Sequence, residues 1–191
     1  MAKNKEEYQL RYIYHTNQYD DAYLIELELD QYCDLYNAWD GSALDRKALD
    51  PGLSNFLERA SFELPLEEKV EICFYLPEEK KDESKEADAR ATIKNNFRMD
   101  IFFLNRKLDN NKRKISYYFL LGIAFILTAY LIPENQDLSL LVSLLQEGLF
   151  IGSWVFMWEA SSLFFFSTKE LKDKKKRYLR YLSSEIIFNY Y

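Results

Sequence analysis

Two long apolar runs lie toward the end of the chain, at Ile115–Ile132 and Leu138–Phe166. Only Pro133-Glu134-Asn135-Gln136-Asp137 separates them. A helix crosses a bilayer with ~20 apolar residues, so each run predicts a span, at about 115–132 and 138–166. Upstream, Ile93, Phe97, Ile101, Leu104 and Leu108 recur every three or four residues, a single helical stripe. No Gly or Pro occurs between Glu78 and the first run, which predicts one helix from about Ser84 to Ile132. At ~1.5 Å per residue it measures on the order of 70 Å.

The polar half of the chain shows a different period. Tyr23, Ile25, Leu27 and Leu29 alternate with Glu26 and Glu28, which predicts a half-buried strand. Val70–Leu76 alternates again and stops at Pro77, predicting a second strand. Asp50-Pro51 reads as an N-cap and first helical residue of a short helix to about Phe62, with Leu53, Phe56 and Leu57 inward. Residues 1–20 show no period, predict loose structure and carry no secretory signal pattern. Beyond the second run, Lys169–Leu182 extends the helix, and Glu185–Tyr191 is apolar and β-prone. The expected fold is a two-helix transmembrane hairpin with a small cytoplasmic α+β domain, its long helices continuous with the spans. Residues 1–105 form the α+β domain, 106–168 the hairpin, and 169–191 a basic helix and a strand packing back on that domain.

Charge orients this arrangement. Residues 1–105 hold 13 Lys/Arg against 23 Asp/Glu, a net of −10. Arg106, Lys107, Lys112, Arg113 and Lys114 precede the first run. Seven Lys/Arg, Lys174, Lys175, Lys176 and Arg177 among them, follow the second between Lys169 and Arg180. The linker between the runs has no Lys or Arg. The positive-inside bias then predicts both termini in the cytoplasm. An acidic domain above a basic collar does not suit duplex nucleic acid, which needs a broad positive surface.

Enzyme chemistry finds little footing. His15 is the only histidine, and no G-x-S-x-G, Walker A, H-E-x-x-H or C-x-x-C pattern occurs. Asp20, Asp21, Asp30, Asp34, Asp40 and Asp45 fit no metal loop, so neither metal nor cofactor is expected. Cys33 and Cys73 read as ordinary core or sheet residues.

The second run carries the notable chemistry. Its 29 residues measure roughly 43 Å as a helix, more than one span requires. Any twenty-residue window within it contains Glu147 or Glu159. A short linker puts Glu147 deep; an interfacial Leu138–Gln146 puts Glu159 deep instead. Neither run contains Lys, Arg or His. A carboxyl group in lipid costs a few kcal/mol and needs a neutral partner or a hydrated path. Gly148 and Gly152 form a small-xxx-small pair on one helical face with Val155 and Glu159, suited to close helix approach. Rings of carboxylates from several copies would favour cations.

EGLFIGSWVFMWE (Glu147–Glu159), together with DPGLSNFLERASFELP and a long charged helix entering the first span, resembles a group of bacterial two-span membrane proteins. These look like membrane effectors of anti-phage systems, and the nearest likeness is to the membrane partner of Hailong-type defence. The resemblance implies a pore controlled by a short nucleotide or oligonucleotide signal made by a cognate nucleotidyltransferase. The glycine pair and the acids without a basic partner favour a homo-oligomer, for which we take a tetramer, with Glu147, Glu159, Gly148 and Gly152 at the path. The ligand would use Arg106, Lys107, Lys112, Arg113 and Lys114 with Lys174–Arg177. The alternative is a non-conducting anchor that presents an interaction domain. A weaker one is a membrane enzyme using paired acids on lipid headgroups.

Overall fold

The computed structural model describes residues 9–19, 21–133 and 140–191. Most of the predicted linker, with Leu138 and Ser139, therefore lies outside the described residues. The elements are β1 (Tyr23–Glu28), α1 (Pro51–Glu63), β2 (Val70–Leu76), α2 (Glu83–Leu131), α3 (Leu140–Ser162), α4 (Thr168–Ser183) and β3 (Ile186–Tyr190). A π-turn at Leu163–Ser167 joins α3 to α4.

The three strands form one parallel sheet in the order β1-β2-β3. Ile25, Ile72 and Ile186 make one cross-strand row, and Leu27, Phe74 and Phe188 the next. Phe74 and Phe188 stack at 5.3 Å. Parallel strands need a crossover between them. The β1–β2 crossover contains α1; the β2–β3 crossover contains α2, α3 and α4, so both apolar helices are an insertion within it.

Local chemistry places α1 as expected: Asp50 Oδ1 accepts from the Gly52 and Leu53 amides at 2.7 and 3.2 Å. Its inward face is Leu53, Leu57 and Ala60; Phe56 is 45% exposed, a correction to the sequence reading. The reason is angular, since Ala60 shares the file of Leu53 and Leu57 three residues on, whereas Phe56 lies to the side. Ala89, Ile93 and Phe97 of α2 and Tyr178 and Tyr181 of α4 complete the core, with Phe97 and Tyr181 stacked at 5.1 Å. Residues 9–13 form a helical turn, and Thr16 bridges Tyr23 at the edge of β1, so this segment is more ordered than its lack of period suggested. Cys73 is buried in β2, but Cys33 is exposed in a 3-10 turn rather than in core or sheet.

The chain divides into two units, residues up to Phe102 with Lys175–Tyr191, and Phe103–Lys174. The divisions fall inside α2 and α4, because those helices run on without a break. Both long helices are apolar enough to cross a membrane, and only 11% and 6% of their most apolar stretches are buried. Such surfaces need a nonaqueous neighbour.

Candidate functional site

Within the second unit the two apolar helices pack antiparallel along a narrow seam. On α2, Leu104, Leu108, Asn111, Ile115, Tyr118, Gly122, Phe125 and Ala129 are buried or half-buried, at alternating spacings of four and three. On the return helix, Gln146, Leu149, Ser153, Phe156, Ala160, Leu163 and Ser167 follow the same rule. A 3.5-residue period is the seam of a left-handed helix pair. Contacts fix its register. Tyr118 stacks on Phe156 at 6.1 Å, and Phe125 meets Phe156 edge-on at 5.2 Å. At one end Gln146 Nε2 donates to the Ala129 carbonyl at 3.2 Å.

Small residues set the closeness of the seam. A Cβ on Gly122 would lie 2.9 Å from Met157 Cγ and 3.4 Å from the Ser153 carbonyl oxygen. A Cβ on Gly152 would lie 2.9 Å from the Phe125 ring, whereas one on Gly148 would meet nothing within 4 Å. The two glycines of the sequence motif therefore divide: Gly152 lies against Phe125, and Gly148 has open space beside it.

Glu147 and Glu159 are both exposed, as are Ile151, Trp154, Val155 and Trp158 between them. Among the described residues neither carboxylate has a hydrogen bond or an ion pair. The hydroxyls of Thr128 and Ser161 donate to the carbonyls of Ala124 and Met157, four residues back. The pair of helices thus satisfies its own seam and leaves both acids outside it.

At the other end of the seam stands a polar cluster that the sequence reading missed. Asn111 is 7% exposed. Its Nδ2 donates to Thr168 Oγ1 at 2.9 Å and lies 3.3 Å from Ser167 Oγ and 3.4 Å from the Leu163 carbonyl oxygen. Thr168 Oγ1 donates to that same carbonyl at 2.9 Å. The signal was available: Asn111 continues the apolar stripe three residues after Leu108 and four before Ile115.

The predicted basic residues divide between the two units, Arg106, Lys107, Lys112, Arg113, Lys114 and Lys174 in the second and Lys175, Lys176 and Arg177 in the first. Arg106, Lys107, Lys112, Arg113 and Lys114 are exposed along α2, with Lys112 paired to Asp109 at 3.0 Å. In α4, Lys176 is exposed and Lys174 and Lys175 half-buried. Arg177 is half-buried against α1, donating to the Ser61 carbonyl at 3.0 Å with its guanidinium 4.2 Å from the Phe62 ring centre.

The sheet unit holds its own cavity, of about 390 Å³, lined by Tyr32, Cys33, Lys80, Lys81, Asp82 and Lys85 among others. These residues follow the carboxyl ends of β1 and β2, where open parallel sheets hold ligands. Lys85 pairs with Asp82 at 3.2 Å, and Lys81 lies 5.4 Å from the Tyr190 ring centre. Behind the cavity the Tyr190 hydroxyl donates to Glu86, which Arg90 also bonds at 2.7 Å. Burial and the Glu86 carboxylate push the Tyr190 phenol well above its ordinary range. Among the described residues no three His, Cys, Asp or Glu side chains cluster as metal ligands would.

No known protein family, curated protein or solved structure matches the chain.

Proposed function

We propose that this chain is an oligomeric membrane effector whose apolar hairpin forms a gated conducting path. The hairpin spans the inner membrane of a bacterium, with both termini in the cytoplasm. Several copies, a tetramer in the simplest case, surround the path, and Glu147 and Glu159 line or gate it. The sheet unit receives the trigger, a nucleotide or short oligonucleotide made by a cognate nucleotidyltransferase, in the setting of anti-phage defence. The three lysines around the cavity at the strand ends, and the basic residues on α2, are the groups suited to an anionic ligand.

One observation carries the reading. Both carboxylates lie outside the seam of their own helix pair, without a partner among the described residues. Lipid tails solvate a carboxylate poorly, by a few kcal/mol, so in a bilayer such a face is stable against water or a second subunit. The test is ion flux from vesicles holding the full chain. Glu147→Gln and Glu159→Gln should each change selectivity or flux about tenfold, the effect of ~1.4 kcal/mol at a barrier. Flux equal to the parent in the double variant overturns the reading.

A second reading, a non-conducting anchor, draws on the seam being complete within one chain. It predicts that an unrelated two-span hairpin in place of Phe103–Lys174 preserves activity.

A further inference from the structure

We infer that the π-turn at Leu163–Ser167 is a one-residue register switch, held in its present state by Asn111. The Thr168 amide reaches back five residues to the Leu163 carbonyl, one more than an α-helix allows. Both flanking residues, Ser162 and Thr168, have ordinary α-helical backbone angles. The interruption is therefore confined to one turn. π-Turns are rare, hold poorer hydrogen bonds and recur at functional sites.

Nothing in the local sequence requires this turn. Leu163-Phe164-Phe165-Phe166-Ser167-Thr168 contains neither Gly nor Pro, the usual causes of a helix irregularity. The support comes from across the seam. Asn111 is more than nine-tenths buried and directs its amide at the Leu163 carbonyl and the two hydroxyls of the turn. The turn is conditional on a partner in another helix, which makes it a two-state element rather than a fixed kink.

The alternative state follows from helix geometry. If the turn closes into α-helix, the segment before it rotates by about 100° and shifts by about 1.5 Å relative to Thr168. Counting back from Thr168, the residues facing α2 move one place along the chain. Glu147 takes the place of Gln146, Trp154 that of Ser153, and Ser161 that of Ala160. A neutral amide gives way to a carboxylate and a serine to an indole, so the switch both loosens the helix pair and turns Glu147 inward. The inference concerns the hairpin alone and stands whether or not the hairpin conducts.

The test is disulfide formation in the full chain, in bilayer nanodiscs, with Cys33 and Cys73 replaced by serine. Tyr118→Cys is paired with Phe156→Cys to report the present register, and with Met157→Cys to report the closed one. The 118–156 product should dominate in the parent. Asn111→Leu should raise the 118–157 share about tenfold, the loss expected for ~1.4 kcal/mol of hydrogen bonding. Thr168→Val, which removes the strongest acceptor, should shift it the same way. Deleting Phe165 in the Asn111→Leu chain removes the extra residue, so a continuous helix now restores the 118–156 product. An unchanged ratio in both Asn111→Leu and Thr168→Val overturns the switch. So does a 118–157 product that survives the Phe165 deletion. Flux plays no part in the readout, so a failed switch and a failed pore are told apart.

Discussion

The Tyr181 hydroxyl donates to the Leu57 carbonyl at 2.6 Å, and both side chains are almost wholly buried. This bond joins α4, which follows the apolar helices, to α1, which precedes them. Tyr181→Phe removes this bond while the Leu57 carbonyl keeps its helical donor, which should destabilise the sheet unit by about 0.5–1.5 kcal/mol. Thermal unfolding followed by near-ultraviolet circular dichroism measures the loss. Tyr181→Ala, which also empties ring volume beside Phe97, should cost more, about 3–5 kcal/mol.

Alkaline pH should unfold the same unit cooperatively. Burial and the nearby Glu71, Glu26 and Glu185 charges push the Cys73 thiol from 9.0 up to about 11. Burial, then the Glu63 carboxylate, pushes the Tyr14 phenol from 10.0 up to about 12. Each is an acid whose folded pKa is raised. Its contribution is full below the unfolded value and is lost as pH climbs to the folded one. Stability should therefore hold to about pH 9 and fall between about pH 9 and 12. In a Cys33→Ser chain, labelling of the Cys73 thiol should rise together with unfolding; labelling well ahead of it contradicts the assignment.

The two glycines of α3 should respond differently. Gly152→Ala puts a methyl 2.9 Å from the Phe125 ring and should loosen the helix pair by about 1–3 kcal/mol. Gly148→Ala meets nothing within the chain and should leave the pair intact. If copies associate through the Glu147 face, Gly148→Ala should lower the oligomer mass in detergent while the helix content stays constant. Light scattering with far-ultraviolet circular dichroism reads both quantities.

Lys94 gives a further check on how the long helices are tied. Its ammonium bonds the carbonyls of Tyr181, Leu182 and Ser184 and so ends α4. Burial holds its pKa below the usual lysine value. Lys94→Met keeps the stem but removes the donors, and should fray residues 180–184 with a loss of about 1–3 kcal/mol. Faster amide exchange confined to that segment is the expected signature.

Periodicity carried most of the fold. The α2 stripe predicted a helix from about Ser84 to Ile132, against Glu83–Leu131 observed, because an unbroken stripe that enters an apolar run without Gly or Pro before it has few alternatives. β2 is legible to the residue, since alternation from Val70 ends at a proline. Parallel pairing was not legible: it follows from crossovers through whole helices, and strand direction leaves no mark on alternation. Phe56 was misplaced because hydrophobicity, not angle, decided the reading. At the hairpin, spacing put Gly148, Gly152 and Glu159 on one face. The Phe125 ring separates Gly152 from the others, and such a contact belongs to the partner helix rather than to the motif. The cavity at the strand ends was invisible for a related reason, being assembled from segments some 50 positions apart.

Placing both apolar helices between β2 and β3 fixes an order of events during synthesis. A ribosome delivers β1 and β2 first, then about a hundred residues of helix, and only then Ile186–Tyr190. Until that last strand arrives, β2 has an open edge and the Phe74 ring lacks the Phe188 face it stacks on. The sheet is thus incomplete until both apolar helices have been synthesised. A chain stopped before Ile186 would carry both apolar helices and a sheet of only two strands.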